Sequence, residues 1–291
     1  MTTRRSFIKS ASLLSAGFLM IPKEFTDKKN LIGLQLYTVR DAMEKDPSGT
    51  LAKVAQIGYN SVEGTYAGGK FYGMNPSEFA KVLKQNGLVM LSSHYRLGKE
   101  MPDGKIVEGT ILHGWDKAVD DAAEVGAKYM VCAYLAADER KGIDDYKYAA
   151  DQLNIAGERC KKAGLQLCYH NHDFEFIKEG DVLPYDILLG TDENLVKMEV
   201  DLYWITKAGH DPITLFDQHP GRFPLWHVKD MDNTDKKDFT EVGNGIIDFQ
   251  KIFKQSKKAG LKYFYVEQDK CPGSPFDSIT RSISYVKQHL I

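Results

Sequence analysis

From residue 31 onward, short runs rich in β-branched and aromatic residues alternate with longer segments of helical composition. This is the pattern of a parallel sheet whose strands are joined by crossover helices. It predicts eight strands: Leu31 to Leu36, Tyr59 to Glu63, Leu88 to Ser92, Lys128 to Cys132, Leu165 to Tyr169, Val196 to Val200, Pro224 to Val228 and Lys262 to Val266. Gly58, Gly87, Gly126, Gly164 and Gly260 each follow a helical run and shortly precede a strand, where helices end in left-handed glycine. Asn75-Pro76, Asp211-Pro212 and Asp248 read as N-caps, the first two followed by the proline favoured at the first helical position.

Eight βα units in about 260 residues fit a closed (β/α)8 TIM barrel of one domain, residues 31 to 291. A doubly wound open sheet is the runner-up, but the chain has no glycine-rich phosphate loop after the first strand. The isolated Gly243-Asn244-Gly245 does not supply one.

Alternation along the strands separates the two faces. Residues i and i+2 of a strand point the same way. Leu167, Tyr169, Met198, Val200, Trp226, Val228, Phe264 and Val266 are then expected to face the helical layer. His170 with His172, Glu199 with Asp201, and His227 with Lys229 are expected to face the barrel axis. Glu63 and His94 join them by the same parity. All fall at or just beyond predicted strand ends, and the C-terminal mouth is where such barrels carry chemistry.

Composition narrows the function. With 291 residues, 43% of them hydrophobic, the chain is long enough for one large core, and no linker or low-complexity tract divides it. The formal charge of −2 gives no basic footprint for nucleic acid. Residues 1 to 22 read as a twin-arginine export signal: Arg4, Arg5 and Lys9 form a basic region before the apolar stretch Ala11 to Ile21, which Pro22 closes. The expected location is therefore the periplasm, with a membrane anchor if the signal stays uncleaved. That segment holds no acid, so its loss would take the charge to −5. Four cysteines, at 132, 160, 168 and 271, have no metal-binding spacing, and Cys132 and Cys168 read as free thiols buried in strands.

Four successive strand ends could deliver His170, Asp201, His227 and Glu267 to one divalent cation; the mixed nitrogen and oxygen donors suit Mn²⁺, Zn²⁺, Co²⁺ or Mg²⁺. Glu199 reads as a partner holding a ligand or Lys229. Glu63, His94, Lys229, Tyr37 and Trp204 are the candidate substrate contacts, with Tyr66 and Phe174 also near strand ends. Lys229 and Asp230 read equally well as a solvated pair, and Asp173 and Glu175 as solvated loop charges.

These residues carry a resemblance. Tyr169-His170-Asn171-His172, Glu199-Val200-Asp201, His227-Val228-Lys229-Asp230 and Val266-Glu267-Gln268-Asp269, in that order from Gly33 to about Leu290, resemble the xylose isomerase-like TIM barrels, a superfamily of sugar isomerases, epimerases, inosose dehydratases and endonuclease IV-type enzymes. The resemblance implies metal ligands at His170, Asp201, His227 and Glu267, where His170 departs from the usual glutamate. It further implies a metal-stabilised enediolate, with Glu267 as ligand and base and His170 or His172 as the opposing acid or base. The expected activity is isomerisation or epimerisation of a non-phosphorylated sugar or keto sugar. A lyase or dehydratase acting on a keto-glycoside or cyclitol is the alternative, and a non-catalytic sugar-binding barrel a third. A nuclease is disfavoured by the charge, and a homo-oligomer is left open.

Overall fold

A computed structural model describes residues 31–98 and 106–291. The expected signal, residues 1 to 22, lies outside the described residues. Eight parallel strands close into a barrel: β1 (Gly33–Gln35), β2 (Ser61–Ala67), β3 (Val89–Arg96), β4 (Tyr129–Tyr134), β5 (Gln166–His170), β6 (Val196–Asp201), β7 (Leu225–Val228) and β8 (Tyr263–Val266). The ring closes where β1 pairs with β8, Gly33 opposite Tyr265 and Leu34 opposite Val266. Closure removes both sheet edges, and it excludes the open-sheet alternative.

All eight predicted strands form; β2 to β6 run past their predicted C-terminal ends, β7 and β8 end where predicted, and β1 stops one residue short. β3 continues to Arg96 and β2 to Ala67, past the last clearly apolar residues. β2 pairs with β3 as far as Thr65 and then turns back on Lys70–Phe71, and the end of β3 pairs with β4, extensions that a hydrophobic pattern cannot register. The register shifts between Val62 and Glu63 and between Tyr95 and Arg96, irregularities of the kind that re-aim side chains at barrel rims.

The expected caps are present. Asn75 accepts from Glu78 N while Glu78 reaches back to Asn75 N, a complete capping box for the helix Pro76–Gln85. Asp211 and Asp248 cap Pro212–Gln218 and Phe249–Phe253.

Two apolar layers result. The larger lies between strands and helices and contains every residue expected to face outward; Trp226, for example, stacks on Phe216 with centroids 5.0 Å apart. The smaller fills the barrel axis with Val131, Cys168, Leu225 and Tyr265, flanked by Tyr129 and Tyr263. This plug occupies the axis one layer below the polar residues, so ionisable groups gather only above it. Cys132, Cys160 and Cys168 are free and buried, and Cys271 is free and half-buried.

Candidate functional site

Above the plug, strand ends project a closely coupled set of ionisable side chains. His227 on β7 is at its centre. Its Nε2 lies 2.5 Å from Glu63 Oε2 on β2, and its Nδ1 lies 2.7 Å from Glu267 Oε2, just past β8. His170, ending β5, also faces two ways: Nδ1 is 3.1 Å from Glu199 Oε2 and Nε2 is 3.7 Å from Asp201 Oδ2. Thus each of these imidazoles has one nitrogen held by a buried carboxylate and the other directed toward Asp201 or Glu267. A carboxylate behind an imidazole fixes the ring and raises its basicity toward a metal.

Asp201 sits where β6 passes into the helix Leu202–Lys207. Its Oδ1 caps that helix, accepting from Tyr203 N and Trp204 N at 2.9 Å each. Its Oδ2 is buried and takes no aligned hydrogen bond, with the Lys229 ammonium 3.0 Å away. Lys229 also reaches Glu267 Oε2 at 2.8 Å and Asp269 Oδ1 at 2.9 Å. Asp201, His227 and Glu267 bring one donor atom each to within 4.8 Å of one another, a mixed carboxylate and imidazole set that fits a divalent transition metal. His170 comes within reach of that group through Asp201, and belongs more closely to a second group with His94, Glu199 and His227.

His94 fills the space between two carboxylates, its Nε2 3.0 Å from Glu63 and 3.1 Å from Glu199. Gln35, at the end of β1, donates to Glu63 at 2.8 Å. Glu63 is enclosed by Gln35, His94 and His227 and does not reach the pocket wall, so the structure does not support its expected contact with substrate. Closure of the barrel carries β2 under the neighbouring imidazoles, a proximity that strand parity does not reveal.

Burial and neighbours set the charges. Burial opposes charge on His94, but Glu63 and Glu199 push its pKa up to about 9. His227 likewise overcomes burial, driven well up by Glu199, Glu267 and Glu63. Burial and the surrounding cations drive His170 well below the ordinary histidine value and His172 down to about 3. These two are therefore neutral imidazoles in this arrangement. Burial raises Glu199 to about 7, whereas Lys229 and then His227 overcome burial and hold Glu267 far below the carboxylate range.

A pocket of about 480 Å³ opens over this cluster. His94, His170, His172, Lys229, Glu267 and Asp269 line one end; Tyr37, Tyr66 and Tyr134 contribute aromatic wall. Trp204 is not part of that wall. It packs at 5.4 Å from His172, whose other face stacks on Phe174. Glu175 and the Lys229–Asp230 pair, read as solvated, are buried. Glu175 accepts from Tyr169 Oη at 2.6 Å and His172 N at 2.8 Å, which locks the loop after β5. Asp230 accepts from the backbone N–H groups of Met231, Gly243, Gly245 and Ile247. Sequence reasoning overlooked Gln35 and Tyr134, and it named Asp269 in the last strand-end motif without giving it a role. Parity would have found Gln35, two residues past Gly33 on the first strand.

A family model described as xylose isomerase-like TIM barrel matches residues 51–289. An inosose dehydratase from Clostridium beijerinckii is 26% identical over 164 residues, covering 50% of this chain and 55% of that protein. The chain thus spans about half the length of the curated relatives it matches. Among solved structures, a sugar phosphate isomerase/epimerase from Parabacteroides distasonis superposes with a TM-score of 0.75 at 29% identity, covering 89% of this chain and 93% of that one. The IolI protein, solved with a bound zinc atom, superposes with a TM-score of 0.70 at 14% identity over 89% of this chain and 98% of its own, a likeness of fold.

Proposed function

We propose, from the premise that the chain belongs to the xylose isomerase-like TIM barrel family, that it is a divalent-metal-dependent carbohydrate isomerase or epimerase acting on a non-phosphorylated sugar or keto sugar. The observation that carries this reading is the convergence of Asp201, His227 and Glu267 from three successive strand ends beneath a pocket large enough for a sugar. Those three residues, with His170 as the fourth donor, would hold the ion. When bound, it supplies Lewis-acid polarisation of a substrate carbonyl oxygen.

The chain's own residues do the proton work. Glu267, kept ionised by Lys229 and His227, takes the proton from the carbon next to the carbonyl on a carboxylate oxygen. Glu267 then delivers that proton to the neighbouring carbon, and His172, a neutral imidazole that lines the pocket, passes the hydroxyl proton to the former carbonyl oxygen, so that the isomerisation balances. Lys229 lines the pocket and holds the carboxylates of Asp201, Glu267 and Asp269 in place. His94 and Tyr37 complete the contact surface, with Trp204 backing His172.

Two features support a free sugar over a phosphorylated one. The twin-arginine-type N-terminus fits an exported enzyme, and phosphorylated sugars are retained inside cells. Among the described residues the positive groups of the pocket lining are Arg96, Lys229 and His94, and of these Lys229 is already shared among three carboxylates and His94 between two.

Lyase or dehydratase chemistry on a cyclitol or keto-glycoside is the second reading, favoured by the similarity to inosose dehydratases. The same proton abstraction, followed by loss of a β-hydroxyl or an aglycone, would serve it. One experiment tests both. The Mn²⁺-loaded protein is incubated in deuterium oxide with a panel of free sugars, keto sugars, cyclitol ketones and keto-glycosides. Deuterium at the α-carbon of an intact product is expected for isomerisation, and an unsaturated product with release of water or aglycone for the lyase. Exchange that persists in Glu267→Gln at saturating metal would remove Glu267 as the base; no exchange with any of these substrates would overturn the proposal.

A further inference from the structure

We infer that the outer end of the pocket is a second, apolar subsite, formed by Tyr37, Val107 and Tyr134, and that it takes a flat aromatic ring carried by the sugar, so that the substrate is an aryl glycoside. The inference rests on the reading that the inner end binds the reacting sugar, and it holds for epimerisation and elimination alike. The cavity of about 480 Å³ is the first support. Sites that enclose ligands of drug size span roughly 300–1,000 Å³, and a single sugar ring set against the ionisable cluster leaves the outer part of such a space unfilled.

The second support is where the exposed apolar surface lies. Among the described residues ten large hydrophobic side chains are exposed, and three of them, Tyr37 at 48%, Val107 at 38% and Tyr134 at 37%, line this one pocket. Ile106, next to Val107 in the chain, is exposed as well. Tyr66 and Ala133 add to the same wall. Scattered singly, exposed hydrophobic residues need no explanation; gathered in a concave site they mark a place for a ligand.

The two tyrosine rings are braced for stacking. Tyr37 follows β1 and Tyr134 ends β4, three strands apart around the barrel, so they approach the pocket from different sides. The Arg40 guanidinium lies over the Tyr37 ring, 4.3 Å from its centroid, and Arg40 Nη1 donates to Tyr37 O at 2.9 Å. Tyr134 stands edge to face against His172 and Phe174, with centroids 5.1 and 5.6 Å away. Held in this way, each tyrosine gives up little freedom when a further ring packs on it, and a flat aromatic partner gains from both. A second sugar would set its hydroxyls against these carbon surfaces instead.

The test is binding, measured by calorimetry on the full chain loaded with Mn²⁺. The probes are matched methyl and 4-nitrophenyl glycosides of glucose, galactose and xylose, each with and without a ring ketone, together with cellobiose and lactose. Within a pair that binds, the aryl glycoside is expected to be about tenfold tighter or more, the packing on two aromatic rings supplying the difference. Tyr134→Ala and Val107→Asp are each expected to lower that ratio several-fold, while Tyr134→Phe, which keeps the ring, preserves it; circular dichroism confirms the fold of each variant. Equal affinity within every pair, an aryl preference undiminished in folded Tyr134→Ala and Val107→Asp, a disaccharide bound as tightly as its aryl counterpart, or no binding by any probe would each overturn the aryl subsite. Deuterium exchange with the free and methyl sugars is read separately. Exchange without aryl preference removes the subsite alone, and aryl preference without exchange removes the reaction and leaves the subsite standing.

Discussion

Lys229 concentrates the electrostatics of the site in one side chain. It is buried, and its ammonium lies 2.8–3.0 Å from carboxylates of Asp201, Glu267 and Asp269. Removing one partner of a buried pair leaves the other charge uncompensated, typically at about 3–5 kcal/mol. Lys229→Met is therefore expected to destabilise the metal-free protein by roughly that amount, with much of the loss recovered on adding Zn²⁺ because the ion takes over the same carboxylates. Urea unfolding with and without metal measures it; an equal loss in both conditions would count against a cation site there. Glu175 gives a pH dependence of definite sign. Burial raises its pKa from 4.5 to about 7. A folded pKa above the unfolded one contributes stability that is complete below about pH 4.5 and is lost as pH rises through about 7. Glu175→Gln is expected to reduce the decline between pH 5 and pH 8 by on the order of 1–3 kcal/mol, read from denaturation midpoints. Neither residue could be read from the chain as buried. The type of a side chain says nothing about the loop that closes over it, and Glu175 is covered by its own loop through Tyr169 and the His172 amide.

The loop after β7 shows how one element depends on one carboxylate. Asp230 follows Lys229 directly and gathers four backbone N–H groups from Met231 to Ile247. That holds the antiparallel pair Asp230–Met231 and Phe239–Thr240, so that Phe239 stacks on Tyr203 at 4.4 Å and lies near the Lys229 ammonium at 5.7 Å. Asp230→Ala strands these donors and is expected to cost about 3 kcal/mol, each hydrogen bond to a charged acceptor being worth roughly 1.5–3 kcal/mol before the loop relaxes. Hydrogen exchange should accelerate at Gly243, Gly245 and Ile247 while the amides of β5 and β6 stay protected; acceleration throughout the barrel would indicate a global effect instead. At this scale the helix ends were legible, because a cap is a local contract between neighbouring residues. Asn75, Asp211 and Asp248 cap where their sequence context places them. Strand ends were less so, since β2 and β3 are prolonged by neighbours distant in sequence.

For the whole molecule the decisive contact is the seam between the first strand and the last. Gly33 lies against Tyr265, and a Cβ there would overlap that ring and come within 2.6 Å of the Phe264 carbonyl oxygen. Gly33→Ala must therefore push β1 from β8 or move a ring of the axial plug. It is expected to lower stability by about 1–3 kcal/mol, measured by thermal unfolding, as overpacked cores generally do. The sequence by itself determined the eight-unit alternation, the two faces of each strand, the capped helices and the row of polar strand ends. These follow from local periodicity and from chemistry between near neighbours. Only the tertiary structure decided which of those ends meet. It placed Glu63 behind His227 across 164 positions, set Glu199 between His94 and His170, and divided the donors into two groups sharing His227. It also drove the pKa values of His170 and His172 down and those of His94 and His227 up. The reason is physical: closing a twisted sheet into a ring fixes the stagger between strands, and that stagger sets both the distances between side chains on the axis and how far each is removed from water.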